Sequence, residues 1–258
     1  MDAIVTAGGI PKPDEPLYER TQGKSKALLD VNGKPMIQWV LDALCEAQAI
    51  DRILIMGLTP DSGVRCSKIA DYLPNQGSMF ENIRAGMIRL KEINPSVHHA
   101  LVVSSDIPTI TAEMVDWVVN TCMQTDEDAY YNVIERSVME KRFPGSKRTY
   151  TRLKDMEVCG GDMNVIRTMT GTNDDDFFER LISARKSVFK QAQLIGFDTL
   201  ILFLLHRLTL DDAVQRVVKR IGLTGRAIRC PYAEVGMDVD KPFQLEIVSA
   251  DLAARQAG

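Results

Sequence analysis

The sequence predicts an α/β protein, with an open and mostly parallel sheet flanked by helices. Three observations support this. A short apolar run at residues 3–6 is broken at once by Gly8 and Gly9. Further apolar runs at 53–57 and 100–105 alternate with segments of helical spacing, the rhythm of βα units. Asp106 stands at the end of the third run, on the edge where open α/β sheets gather ligands.

The elements follow in order. Backbone without Cβ can approach a ligand closely, and successive free N–H groups form a cradle for phosphate, so Ala7, Gly8 and Gly9 are candidate nucleotide contacts. A long polar loop then carries Arg20 and Lys26, both able to neutralise phosphate oxygens. Pro35 opens a helix with Ile37, Val40, Leu41 and Leu44 on one face. After the second strand, turn residues 59–63 lead to a short helix reaching about Leu73. Ser78 and Glu81 have capping-box spacing ahead of a helix carrying Phe80, Ile83, Met87 and Leu90. Thr111 is placed to cap the helix after Asp106.

From Asp126 the rhythm weakens. Residues 130–134 read as a strand, followed by a basic stretch with Lys141, Arg142, Lys147, Arg148, Arg152 and Lys154. Residues 175–222 read as helical, with 196–207 buried and Thr209 and Asp212 capping a last amphipathic helix. A strand at 227–230 and a helix from Phe243 close the chain. The organisation expected is one domain over 1–258 with an inserted lobe at 126–222.

Composition excludes several classes. A net charge of −4 argues against broad nucleic-acid binding. The most apolar run, 200–205, is too short to span a bilayer. The start of the chain carries no secretory pattern, and the five cysteines are scattered without C-x-x-C, which fits reduced thiols in the cytoplasm and no zinc site. Gly23-Lys24-Ser25 imitates a P-loop tail, but Tyr18 stands where its first glycine belongs. No G-x-G-x-x-G follows the first strand.

Gly8, Gly9, Arg20, Gly23, Lys26, Gly33, Lys34 and Pro35 together resemble the N-terminal signature of nucleotidyltransferases with a GT-A, nucleotide-diphospho-sugar transferase-like fold. The molybdenum cofactor guanylyltransferase group is the nearest likeness. The loop before Arg20 is longer than in that pattern and holds Pro11, Pro13 and Pro16. The resemblance implies that Arg20 and Lys26 hold the β- and γ-phosphates. It implies that Gly77 and Ser78 touch base or ribose, and that Asp106 and Asp240 bind Mg²⁺. Asp240 falls in Val239-Asp240-Lys241-Pro242, which looks like the terminal motif of sugar-acid cytidylyltransferases. Asp238 is a near alternative; on a strand the two share a face but lie almost ~7 Å apart, so both are not expected at one ion.

The resemblance also places the acceptor in the later half, where Arg148, Gly160 and Gly161 are the candidates. The implied reaction moves a nucleoside monophosphate from an NTP to a small molecule, with pyrophosphate leaving. A phosphorylated acceptor would be ionised already and need no base, so the absence of a nameable base favours such an acceptor. Sequence names no base, because His98 and His99 precede the third strand and His206 falls in the expected apolar helix. Two alternatives share the nucleotide half: a GT-A glycosyltransferase, which would show D-x-D where this chain has Asp106-Ile107-Pro108, and a nucleotide-binding regulatory domain without turnover.

Overall fold

The first strand, β1 (Asp2–Thr6), sits at the centre of the sheet because it is apolar on both faces. Ala3 and Val5 point into one core and Ile4 into the other, as the period of two requires. Its neighbours are both parallel: β4 (Ile53–Met56) on one side and β6 (His99–Ser104) on the other. In the computed structural model, which describes residues 1–168, 199, 202 and 205–257, the sheet runs β5 (Ile69–Leu73), β4, β1, β6, β10 (Met163–Arg167), β7 (Ala129–Glu135), β9 (Glu157–Gly160) and β8 (Thr151–Arg152). β10 (Met163–Arg167) is antiparallel to both β6 and β7 (Ala129–Glu135). β9 (Glu157–Gly160) pairs with β7 and with the short β8 (Thr151–Arg152), and β11 (Gly225–Arg229) lies parallel along β7.

The larger core joins one sheet face to α2 (Met36–Glu46), α4 (Ala112–Cys122) and α7 (Pro242–Ala257). The expected stripe Ile37, Val40, Leu41 and Leu44 is fully buried there. The opposite face is covered by α3 (Met79–Ile93) through Ile83, Met87 and Leu90. α6 (Leu210–Ile221) starts at Thr209, whose hydroxyl accepts from the Asp212 N–H. The Ser78 hydroxyl likewise accepts from Glu81 N–H at 3.2 Å.

Four local expectations change. The segment expected to be a helix ending at Leu73 is β5 (Ile69–Leu73), an edge strand parallel to β4. Its sequence has little character of its own, and the free edge of β4 decides its conformation. Residues 30–35 form a hairpin, β2 (Asp30–Val31) and β3 (Lys34–Pro35), around Asn32-Gly33, a strong hairpin dipeptide. Thr111 begins α4 without a side-chain cap. The stretch expected to be an inserted lobe contributes β7 to β10 to the main sheet, with a short α5 (Arg136–Arg142). The helical reading of 175–198 lies outside the described residues, but at the end of the expected buried helix Leu205 and His206 form an exposed turn.

Candidate active site

β1 is the point where the strand order reverses, since the chain passes from it to β4 and β5 and then returns to β6 on its other side. Crevices form at the carboxyl ends of strands at such a point. A cleft of about 780 Å³ opens there, lined by the loop after β1, the loop before α3, the end of β6 and the turn before α7.

Each wall is fixed by hydrogen bonds between loops. Ala7 is buried beneath the first loop; its N–H donates to Met56 O, and its carbonyl accepts from Ser25 Oγ at 2.7 Å. Gly9 O accepts from Lys26 N–H, which ties the glycine turn to a 3₁₀ turn at Lys26–Leu28. Among the described residues, no bond uses the N–H groups of Gly8, Gly9 or Ile10, so they remain available to phosphate oxygens. Asn75 joins the first two walls. Its Nδ2 donates to Gly8 O at 2.9 Å, while its Oδ1 accepts from Gly77 N–H and Asn82 Nδ2. Gly57 packs beneath: a Cβ there would lie 2.4 Å from Gly8 Cα, and its φ of +96° itself favours glycine.

The acidic end of the cleft brings together residues far apart in the chain. Lys26 Nζ lies 2.5 Å from Asp106 Oδ2 and 2.6 Å from Asp240 Oδ1. Burial would lower the proton affinity of this ammonium, but the two carboxylates outweigh it and hold its pKa above the ordinary value. Ser104 Oγ donates to Asp106 Oδ1 at 2.5 Å, and Val239 N–H donates to Asp106 O. Asp106, Asp238 and Asp240 each offer a carboxylate oxygen, all within 4.8 Å of one another. The expected conflict between Asp238 and Asp240 therefore does not arise. Residues 237–240 are irregular and follow a 3₁₀ turn at Ala233–Gly236, so the spacing along a strand does not apply.

Of the residues expected from sequence, Gly8, Gly9, Lys26, Gly77, Ser78, Asp106 and Asp240 all line the cleft. Arg20 does not. It is exposed on a short α1 (Tyr18–Thr21) that the long loop inserts before Lys26. Lys12, held between Pro11 and Pro13, lines the cleft instead, as does Lys241. Lys12 and Asn75 carry no motif, so sequence gave no reason to select them.

The acceptor candidates Arg148, Gly160 and Gly161 do not line the cleft. Gly161 N–H donates to Asn132 O, and the phenol of Tyr131 stands over Gly160, where a Cβ would come within 2.1 Å of it. Arg148 pairs with Asp238. The rest of the basic stretch does not converge on the site: Arg142 is tied to Glu234 and Asp251, and Lys147 lies over Phe243. Asp162 follows Gly161, and burial first, then the Asp106 charge, push its carboxyl up to about 7. The histidines contribute nothing here; His99 bonds Glu127 O and His206 bonds Arg152 O.

A strand-end glycine cradle facing a lysine between aspartates defines an NTP-binding transferase site, and the chain belongs to the family described as the MobA-like NTP transferase domain, which matches residues 3–221. A probable molybdenum cofactor guanylyltransferase of Thermococcus gammatolerans is 21% identical over 151 residues, covering 58% of this chain and 76% of that protein. A solved structure described as a hypothetical transferase from Thermus thermophilus is 32% identical, with a TM-score of 0.81 over 95% of this chain and 98% of that one. A CMP:2-keto-3-deoxy-manno-octonic acid synthetase complexed with CTP shares the fold at 15% identity, with a TM-score of 0.61 over 98% and 99% of the two chains. The protein is a nucleotidyltransferase of this fold. Among the described residues, no helix is long and apolar enough to cross a membrane.

Proposed function

We propose that the protein transfers a nucleoside monophosphate from an NTP to an oxygen of a small-molecule acceptor and releases pyrophosphate. The observation that carries this reading is the contact of Lys26 with both Asp106 and Asp240 at the end of a cleft whose other walls present free amides. In this reading, the amides of Gly8 and Gly9 and the ammonium of Lys12 take the triphosphate, while Gly77 and Ser78 sit at the nucleoside. Lys26 neutralises charge on the phosphates. Catalysis here is mainly alignment of the acceptor oxygen with the α-phosphorus and stabilisation of the departing pyrophosphate.

The oxygen-only donor set of Asp106, Asp238 and Asp240 suits Mg²⁺, which combines one or two carboxylates with phosphate oxygens. When bound, such an ion supplies positive charge against the α-phosphate. Asp106 and Asp240 would hold it, with Ser104 orienting Asp106. The acceptor lies on the side of Arg148, Gly160 and Gly161. A phosphorylated acceptor, ionised already at neutral pH, would need no base.

The test is pyrophosphate release with Mg²⁺ across the four NTPs, with a small-molecule extract as acceptor source. The expected result is release that depends on one NTP and on the extract and is lost in Asp106→Ala. NTP binding without release from any combination would favour a regulatory nucleotide-binding role instead. Failure to bind any NTP would refute the reading.

A further inference from the structure

The five cysteines stand far apart in the sequence, and the fold sorts them by their surroundings. Cys122, Cys159 and Cys230 are buried. Burial above all pushes the thiols of Cys122 and Cys230 up to about 12 and about 11, so both stay protonated in the core. Cys45 and Cys66 differ. Both are partly exposed, and neither lines the nucleotide cleft. Cys45 lies in the last turn of α2. Cys66 opens a turn that leads into β5, closed by donation from Ile69 N–H to Cys66 O at 3.2 Å.

The two sulfurs meet over this turn. Cys45 Sγ lies 3.3 Å from Ser67 Oγ, and Cys66 Sγ accepts from Lys68 N–H at 3.4 Å. The thiols are also hydrogen-bonded to each other, and that bond favours the thiolate of Cys45 while disfavouring that of Cys66, so Cys66 is its donor. Burial would raise the Cys45 thiol, but the bond from Cys66 and the donors of Ser67 and Lys68 outweigh it and hold its pKa below the ordinary value. At Cys66 burial first, then the bond to Cys45, push the thiol up to about 12. Lys68 holds the turn against the helix, since its ammonium donates to Leu44 O and Ala47 O at the end of α2. An accessible sulfur that ionises readily, touching a second that keeps its proton, is the arrangement of an attacking and a resolving cysteine.

We propose that Cys45 and Cys66 form a reversible thiol–disulfide pair that takes a low-molecular-weight disulfide as oxidant and, once oxidised, staples the entry of β5 to the end of α2. The Cys45 thiolate attacks one sulfur of the small disulfide. A bond to Cys45 Sγ forms, the S–S bond of the oxidant breaks, and one thiolate leaves with the electron pair and is protonated by solvent. Cys66 then attacks Cys45 Sγ. The bond between the two cysteines forms, the mixed disulfide breaks, and the second thiolate leaves with the proton that Cys66 gives up. The protein loses two electrons and two protons, and the small disulfide becomes two thiols. The link encloses β4, the partner of β5, and ties down an edge strand whose own sequence holds it weakly. The site is separate from the nucleotide cleft and does not depend on the nucleotidyl-transfer reading.

The experiment exposes the native full chain to oxidised glutathione and maps its thiols by alkylation, proteolysis and mass spectrometry. The expected result is a disulfide joining the peptides of Cys45 and Cys66, lost again with dithiothreitol, while Cys122, Cys159 and Cys230 stay reduced. Cys66→Ser, which lacks the resolving thiol, should accumulate glutathione on Cys45. Cys45→Ser should take up glutathione at least about tenfold more slowly than Cys66→Ser. Oxidation should raise the wild-type melting temperature by roughly 5–10 °C and leave Cys66→Ser without such a rise. Glutathione accumulating on wild-type Cys45, a disulfide formed only in urea, or no reaction at either thiol would overturn the pair. A wild-type melting temperature that is unchanged or lowered by oxidation would overturn the staple. Faster uptake in Cys45→Ser than in Cys66→Ser would overturn the assignment of Cys45 as the attacking thiol.

Discussion

Asp162 should cost the folded protein stability in a pH-dependent way. Its carboxyl moves from 3.8 to about 7 on folding, chiefly through burial. Between those values the native state holds a proton that the unfolded state has released, so stability falls as pH rises through the window. A shift of roughly three units corresponds to ~4 kcal/mol above about pH 7, at 1.36 kcal/mol per unit. At about pH 5 only the first unit or so has been lost, near ~1.5 kcal/mol. Asp162→Asn keeps the shape and cannot ionise. Its stability relative to wild type should therefore rise by about 2–3 kcal/mol between about pH 5 and pH 8. Urea unfolding of both proteins at several pH values, with chelator present, measures this. A difference that stays flat with pH, or a wild type more stable at alkaline pH, would refute the reasoning.

Other perturbations separate the remaining roles. Lys12→Ala should raise the KM for NTP about tenfold, the loss of ~1.4 kcal/mol from one charge-assisted contact, whereas Arg20→Ala should change it less than about threefold. Steady-state kinetics on both variants checks this, and the reverse order would restore Arg20 to the triphosphate. Gly57→Ala places a methyl 2.4 Å from Gly8 Cα at a φ of +96°, so it should destabilise the fold by about 2 kcal/mol or more and weaken NTP binding, as read by thermal melts and nucleotide titration.

Much of this protein was legible in its sequence because the signals were local. Apolar runs with a period of two or 3.6 placed β1, β4, β6, α2 and α3, since those segments bury a face whatever their neighbours do. The glycine turn, Lys26, Asp106 and Asp240 followed from motifs whose residue types suit phosphate and metal chemistry. Weak local signals failed. β5 took its conformation from the free edge of β4, and the basic stretch dispersed into separate ion pairs.

What only the tertiary structure decided was which charged groups meet. Lys26 and Asp240 are 214 residues apart, yet they lie 2.6 Å from each other because parallel crossovers return several strand ends to one edge of the sheet. The same closure put Lys12 rather than Arg20 on the cleft wall and brought Asp238 to Asp106. A sequence motif specifies a residue's chemistry, but its proton affinity and its partners depend on burial and on neighbours supplied by distant segments.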